Sequence, residues 1–362
     1  MPLPHLDAFP EPRPEPSRTP HLRAVPDRCL VSSHNEWDPL EEVIVGVISE
    51  ATVPAWDSDL EATMPHEHEQ FFREQAGKLF PQELRERAAE ELDNFASTLE
   101  SLGITVRRPD DTHVHRDAYS TPGWSSQGLY CAMPRDSLLV VGDDVIEAPM
   151  AWRSRYFEQF PFRHLLVEYF RSGARWSAAP RPQLVGPFHE RQEPLFDAAD
   201  FVRCGTDIFG QLSQVTNQLG VDWLRAHLGS EYTVHVLDVD DPHAMHIDAT
   251  FMPLCPGKVL INPDRPPALG AMFDDWDVRE APRPIGSDLP RYMSSAWLSM
   301  NVFLLDERRV VVEAHETPLI EMLEAWGFDP IPLPFQHFHA FGGSFHCATL
   351  DVRRRGTLQS YF

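Results

Sequence analysis

The feature that most constrains this chain is a phrase that recurs along it, an amphipathic helix followed by a glycine and then a strand. In the clearest copy, apolar residues recur at helical spacing from Leu84 to Leu102, Gly103 follows, and 104–106 is typical of a strand. Similar phrases occupy 165–176, 221–236 and 319–331, with a weaker one at 269–278. The spacing of roughly 45 to 60 residues predicts about five copies of one unit.

Paired strands are predicted between these copies. Short turns separate two apolar runs at 138–141 with 145–146, at 250–254 with 259–261, and at 302–305 with 310–312. Strands that alternate with helices predict an α/β fold, and we expect one closed ring with helices outside and a central site where distant segments meet. A doubly wound sheet is the alternative, but no glycine-rich phosphate loop follows any predicted strand.

Composition limits the partners and the compartment. A net charge of −24 lacks the excess of lysine and arginine that a nucleic-acid surface needs, and no apolar run is long enough for a membrane helix. The five cysteines have neither the spacing of a zinc site nor an even count, so a reducing, cytoplasmic location is expected. Eight of the 34 prolines fall in residues 1–28, which predicts a disordered arm ahead of a single domain at 29–362.

Cys347 is the candidate nucleophile. It follows Gly342 and Gly343, which make the approach to it flexible, and a buried structural cysteine is the alternative. A thiol needs a proton acceptor beside it to become a useful nucleophile. His246 and Asp248 lie two residues apart, so on an extended strand they would face the same side and act on one ligand.

Carboxylates complete the expected chemistry. Asp197 interrupts an apolar segment and Asp136 precedes a predicted strand, although either could instead cap a helix or lie at the surface. Several carboxylates in one pocket suit a guanidinium, whose donors pair bidentately with them. With a thiol and a histidine, they point to guanidine or amidine chemistry. His346 is expected to point elsewhere on an extended strand and is not the predicted base.

The sequence resembles the arginine:glycine amidinotransferases, and the resemblance covers nearly everything from residue 30 onward. It rests on long motifs, which include SHNEWDPLEEVIVG at 33–46, EAPMAWRSR at 147–155, FDAADF at 196–201, SQVTN at 213–217, MHIDATF at 245–251, NPDRP at 262–266, MSS at 293–295 and the closing segment 345–362. The resemblance implies a five-bladed α/β propeller of pseudo-fivefold ββαβ repeats, in agreement with the repeat count.

The resemblance also implies roles for individual residues. Cys347 would attack the guanidino carbon of arginine, His246 would be the general acid and base, and Asp197 would be the partner of that histidine. The other implied residues bind substrate: Asp136 and Asp248 hold the guanidinium, and Arg265, Ser294 and Ser295 grip the amino acid's carboxylate and amine end. The two serines could instead cap a helix that runs through 297–298.

The segment 241–245 should border the acceptor site. Met245 favours a compact pocket for a small acceptor such as glycine, whereas His243 stands where the resemblance leads us to expect asparagine and weighs against strict glycine specificity. The expected function is transfer of the amidino group of L-arginine to glycine through an S-amidino-cysteine. The alternatives are transfer to a larger amine, such as an inosamine or a natural-product precursor, and, less favoured, hydrolysis of the arginine deiminase kind.

A non-catalytic arginine-binding protein is disfavoured because the nucleophile, the histidine and the carboxylates are all present. Covalent chemistry at sulfur supplies both half-reactions, so no metal and no organic cofactor is expected. The expected partners are small molecules only, L-arginine and an amine acceptor, with neither nucleic acid nor membrane. A homodimer is the assembly that the resemblance suggests.

Overall fold

The computed structural model describes residues 28–64, 68–110, 118–241, 243–287, 289, 292 and 295–362. All but the last residue of the predicted proline-rich arm, and Ser294 of the predicted site, lie outside these described residues. In the part of the chain that is described, no helix has both the length and the apolar character needed to cross a bilayer. The cytoplasmic location stays a prediction.

Seventeen strands are present among the described residues. They are β1 (Leu40–Val45), β2 (Thr105–Arg107), β3 (Tyr119–Ser120), β4 (Ser125–Ser126), β5 (Leu138–Val141), β6 (Asp144–Glu147), β7 (Arg175–Ala178), β8 (Phe201–Cys204), β9 (Asp207–Gln211), β10 (Thr233–Leu237), β11 (Phe251–Cys255), β12 (Lys258–Ile261), β13 (Asp277–Glu280), β14 (Phe303–Leu304), β15 (Arg309–Glu313), β16 (Asp329–Leu333) and β17 (Thr349–Arg354). The three predicted hairpins are confirmed as the pairs β5–β6, β11–β12 and β14–β15.

Eight α-helices accompany these strands in the described ranges. They are α1 (Ser58–Thr63), α2 (Glu69–Gln75), α3 (Gln82–Ser101), α4 (Pro134–Ser137), α5 (Arg163–Arg171), α6 (Gln218–Leu228), α7 (Thr317–Ala325) and α8 (Gln336–His339).

Five three-stranded sheets repeat one topology. In each sheet the central strand pairs antiparallel with one neighbour and parallel with the other, in the orders β17–β1–β2, β5–β6–β7, β8–β9–β10, β11–β12–β13 and β14–β15–β16. The C-terminal strand β17 supplies the first position of the sheet that β1 begins, so the two ends of the chain close the ring. The α/β class and the five-bladed propeller are confirmed, and a doubly wound sheet is excluded.

A helix connects the second and third strands in four of the five blades, through α3, α5, α6 and α7. The fourth blade has only the 3₁₀ turn Ala271–Phe273 at this place, which explains why its copy of the sequence phrase is weak. The glycine of the phrase has a physical role. After α3, Gly103 adopts φ 85° and donates its N–H to the carbonyl of Glu100, a conformation that favours glycine at a helix C-terminus.

The longest helix, α3, buries one apolar stripe. Leu84, Ala88, Leu92, Phe95 and Leu99 are buried against the core, as their spacing of three and four residues predicts. Leu102 was expected on the same stripe, but its side chain is 40% exposed. It lies at the C-cap, where the helix has ended and the periodicity no longer sets the direction of the side chain.

A short turn precedes the innermost strand of every blade. The turns are α4 before β5, the 3₁₀ segments Ala198–Asp200, Ile247–Ala249 and Ala296–Met300 before β8, β11 and β14, and residues 345–348 before β17. Neighbouring turns contact one another around the axis. The fold therefore brings five segments, far apart in sequence, together at the beginning of the innermost strands.

Candidate active site

A buried ionic cluster supports the turn that carries Cys347. Arg203 contacts Glu36 (Nε to Oε1, 2.9 Å) and Asp351 (Nη2 to Oδ2, 2.5 Å), and Arg135 binds Asp351 at 2.6 Å. Arg135 also donates from Nε to the carbonyl oxygen of His346, 2.8 Å away. Because these groups are all buried, paired charges hold the turn at a fixed place.

The predicted nucleophile, Cys347, lies in a turn rather than on a strand, and it is 1% exposed. Gly342 has φ 93°. A Cβ on Gly343 would lie 2.6 Å from Sδ of Met133 and 2.9 Å from Cβ of Cys347. Both glycines are therefore required by the backbone path that leads to the thiol. The expected extended geometry for this segment is wrong, because its residues close turn hydrogen bonds such as that from Ala348 N to Ser344 O.

His246 lies opposite the thiol in a strained conformation. Its φ is 57°, which is unfavourable for a residue with a Cβ and is tolerated where the surroundings enforce it. Its Nε2 is 3.2 Å from Oδ2 of Asp197, as the predicted partnership requires. The side-chain ligand atoms of His246, Asp136 and Cys347 all lie within 4.8 Å of one another. His246 and Asp248 do meet Cys347, but through a 3₁₀ turn and not through the expected strand alternation.

The two oxygens of Asp136 have different surroundings. Oδ2 accepts a hydrogen bond from Nη1 of Arg155 at 2.9 Å, whereas Oδ1 is buried with no hydrogen-bond partner and lies 3.8 Å from Nδ1 of His246. Arg155 is fixed in turn by two 2.6 Å hydrogen bonds to Glu158, and its Nη1 is 3.5 Å from Asp197. An unsatisfied buried carboxylate oxygen is costly, so Oδ1 is well suited to receive a cationic donor from a substrate.

Asp248 contacts Cys347 directly. Its Oδ2 lies 3.5 Å from Sγ of Cys347 and 2.8 Å from Nδ1 of His346. Nε2 of that imidazole is 3.3 Å from Oε2 of Glu36. Burial alone would raise the pKa of Asp248, but the contact with His346 holds the pKa below its usual value, so the carboxylate is ionised.

The free site keeps its thiol protonated. Burial, together with the charges of Asp248 and Asp136, raises the pKa of Cys347 to about 12. Burial would lower the pKa of His246, yet the charge of Asp136 and the contact with Asp197 raise it well above its usual value. The site thus holds a thiol and an imidazolium among carboxylates. A cation that pairs with the carboxylates would remove the repulsion that opposes the thiolate.

Arg265 and Ser295, which were also predicted to bind substrate, have partners of their own. Arg265 pairs with Asp241 (Nη1 to Oδ2, 2.7 Å) and donates to the carbonyl of Ala249, while its Nε is buried without a hydrogen-bond partner. Ser295 accepts a hydrogen bond from the backbone N–H of Trp297, which is the capping geometry considered as its alternative role.

Residues 243–245 contact groups on either side of them. Met245 packs against the apolar cluster that includes Cys347. His243 is exposed, and its Nδ1 is 3.0 Å from Nε2 of Gln214. Gln214 also donates its backbone N–H to the carbonyl of Ala244, so two hydrogen bonds attach this segment to the neighbouring blade.

Asp136, His246 and Cys347 form the metal-competent group in the described ranges. A carboxylate, an imidazole and a thiol are a donor set that zinc accepts. The expectation that the reaction needs no metal stays a prediction.

Four residues near the chemistry were given no role by the sequence. Asn301, whose Nδ2 donates to Sγ of Cys347 at 3.0 Å, carried no recognisable signal at all. Arg155 and Glu36 stand inside the motifs at 147–155 and 33–46, which was the only indication of them. For His346, the sequence predicts an extended segment that would direct its ring away from the site, whereas the turn directs the ring at Asp248.

No protein-family model matches the chain. The chain is 51% identical over 349 residues to an L-arginine:L-lysine amidinotransferase of Pseudomonas savastanoi pv. phaseolicola, with 91% of this chain and 96% of that protein covered. It is 46% identical over 362 residues to the mitochondrial glycine amidinotransferase of Danio rerio, with 93% and 86% covered.

Two solved structures are also similar to this chain over nearly their whole length. SxtG, an amidinotransferase of saxitoxin biosynthesis from Microseira wollei, has a TM-score of 0.85 at 47% identity, with 92% of this chain and 100% of that one covered. The inosamine-phosphate amidinotransferase StrB1 from Streptomyces griseus has a TM-score of 0.84 at 40% identity, with 92% and 99% covered.

Proposed function

This chain belongs to the amidinotransferase family, and from that premise we propose that it transfers the amidino group of L-arginine to a small primary amine, with glycine as the foremost acceptor. We place the activity in one domain, residues 29–362. The observation that carries the proposal is the convergence of side-chain atoms of Cys347, His246 and Asp136 within 4.8 Å, where Oδ1 of Asp136 accepts no hydrogen bond.

The first half-reaction begins with guanidinium binding between Asp136 and Asp248. Neutralisation of these carboxylates favours the thiolate, and the thiol proton is released to water. Sγ of Cys347 then attacks Cζ of arginine, the S–C bond forms and the C–Nε bond breaks. The imidazolium of His246 donates its proton to the departing nitrogen, so ornithine leaves as a neutral amine.

The second half-reaction reverses these roles. The S-amidino group is planar and cationic, so the same carboxylates stabilise it. A neutral amine attacks the amidino carbon, the neutral imidazole of His246 accepts its proton, and the C–S bond breaks to return the thiolate. Asp197 orients the imidazole from 3.2 Å in both directions. Because the first product leaves before the amine reacts, the kinetics are ping-pong.

Two observations bear on the acceptor. Met245 packs against the apolar cluster that includes Cys347, and a methionine at this place favours an amine as small as glycine, the acceptor named for the Danio rerio relative. The second candidate is a longer amine, because the relative at 51% identity is named for lysine and because His243 is exposed at the edge of the site. Either acceptor uses the same S-amidino intermediate.

Intact-protein mass spectrometry tests the proposal. Brief exposure to arginine should add one amidino group to the wild type and none to Cys347→Ala, while Cys255→Ala, which removes another free cysteine, should react as the wild type does. Glycine, lysine and an inosamine are then added separately, and the amine that clears the adduct fastest identifies the acceptor class. No adduct and no ornithine would contradict the proposal. Citrulline released without an amine would assign a hydrolase instead.

A further inference from the structure

The side chain of Asn301 makes three contacts with the turn that carries Cys347. Its Nδ2 lies 3.0 Å from Sγ of Cys347. Its Oδ1 accepts hydrogen bonds from two successive backbone N–H groups, that of His346 at 2.9 Å and that of Cys347 at 3.1 Å. The side chain is 1% exposed, so none of these contacts competes with bulk water.

The orientation of this amide follows from its partners. The backbone N–H groups of His346 and Cys347 can only donate, so the side-chain oxygen must face them and the NH₂ group must face the sulfur. The backbone around Asn301 is also fixed, because its own N–H donates to the carbonyl of Leu298 at the end of the turn that precedes β14. The donor is therefore aimed at Sγ before any substrate binds.

We propose that Asn301 is a catalytic residue of the amidino transfer, and that its amide N–H stabilises the Cys347 thiolate both as the attacking group and as the leaving group. This inference rests on the proposed function, in which Cys347 is the nucleophile. A charged acceptor gains more from a hydrogen bond than a neutral one does. The amide therefore favours the thiolate over the neutral thiol and over the S-amidino form, whose sulfur shares its lone pair with a cationic carbon.

The remaining neighbours of the sulfur make such a donor necessary. Asp248 and Asp136 both repel the thiolate, and burial removes its hydration. Only His246 and Asn301 offer it N–H groups among the described contacts, and His246 loses its proton to ornithine in the first half-reaction. His246 regains a proton only when the incoming amine is deprotonated, whereas the amide of Asn301 keeps its N–H groups in both half-reactions.

The test uses Asn301→Asp and Asn301→Ala. Aspartate keeps an oxygen acceptor for both backbone N–H groups but replaces the donor to sulfur with a second oxygen. Asn262→Asp is the matched control, because Asn262 is another buried asparagine whose Nδ2 donates to a backbone carbonyl and not to sulfur. Alkylation of Cys347 by iodoacetamide, followed by peptide mass mapping across pH 7 to 10, reports thiolate formation without any turnover.

We expect Asn301→Asp to move the alkylation profile to higher pH and to lower kcat by about 10- to 100-fold, with a smaller change in KM for arginine. Asn262→Asp should keep the wild-type profile. If Asn301→Asp does not fold, the neutral variant Asn301→Ala tests the proposal, and we again expect an alkylation profile at higher pH and a lower kcat. A folded Asn301 variant with the wild-type alkylation profile and kcat would overturn the proposal. If wild-type enzyme forms no adduct with arginine, the proposed function fails, but the alkylation profile still tests the contact.

Discussion

Nδ1 of His346 lies 2.8 Å from Oδ2 of Asp248, and this contact fixes the carboxylate that touches the nucleophile. On the other side of the imidazole, Nε2 is 3.3 Å from Oε2 of Glu36, which belongs to the buried ionic cluster. The imidazole therefore lies between the buried ionic cluster and the carboxylate that contacts Cys347. We expect it to act through Asp248, as a positioning residue.

Two substitutions separate the two sides of this imidazole. His346→Asn places an amide near Nδ1 and retains the donor to Asp248, whereas His346→Gln places it near Nε2 and retains the donor to Glu36. We expect the asparagine variant to keep kcat within about fivefold and the glutamine variant to lose about 10- to 100-fold. Steady-state kinetics with a pH profile measures this difference. Equal losses in both variants would indicate a purely structural role.

Asp248→Asn should make the free thiol more reactive while it impairs turnover. The charge of Asp248 is one of the causes that raise the pKa of Cys347 to about 12, so its removal lowers that pKa and the alkylation profile moves to lower pH. Arginine turnover should nevertheless fall, because a guanidinium ligand is lost. Asp207→Asn, at a carboxylate paired with His235, is the control and should alter neither quantity. A profile that moves to higher pH would contradict this account.

Asp351→Asn should destabilise the whole propeller. Asp351 is fully buried and contacts Arg135, Arg203 and Arg354, so its loss leaves Glu36 as the shared carboxylate of Arg135 and Arg203 and removes the carboxylate bound to Arg354. We expect a cost of about 3–5 kcal/mol in the free energy of unfolding. Urea unfolding measures the cost. The exposed pair of Asp329 provides the comparison, since Asp329→Asn should cost less than about 1 kcal/mol.

The pH dependence of that stabilisation has a defined sign. The neighbouring arginines hold the pKa of Asp351 below its ordinary value although burial opposes them. Its contribution is therefore complete above the pKa of the unfolded chain, about 4, and is lost as the pH falls through the lower folded value. The difference in stability between wild type and Asp351→Asn should shrink in acid. A difference that grows below pH 4 would disprove the assignment.

Dialysis against a chelator should leave the transfer rate unchanged, because the proposed half-reactions use only sulfur, an imidazole and carboxylates. Added Zn²⁺ should inhibit, since Asp136, His246 and Cys347 offer it three ligands, and arginine should protect because it occupies the same carboxylate. Initial rates with metal-free and zinc-supplemented enzyme provide the measurement. Loss of activity on chelation that zinc restores would show that the reaction needs the metal.

The sequence by itself determined the repeat, because an apolar stripe at helical spacing and a glycine after the helix are local features that persist in any context. Leu84 to Leu99 and Gly103 are examples, and together with four similar phrases they predicted five units before any contact was known. Local patterns could not show how the ring closes. That β17 pairs with β1 depends on contacts between the two ends of the chain.

For the candidate site too, the sequence predicted some features and the tertiary structure decided others. Motif resemblance named Cys347, His246, Asp197, Asp136 and Asp248, and the fold brings these five residues together, while their assigned roles stay predictions. The predicted backbone conformation is wrong, because the segments 246–248 and 345–347 form turns and not extended strands.

Asn301 and His346 emerged only from the tertiary structure. Whether a buried amide faces a sulfur, or an imidazole lies between two carboxylates, depends on distances between segments of different blades, and no local pattern encodes such a distance.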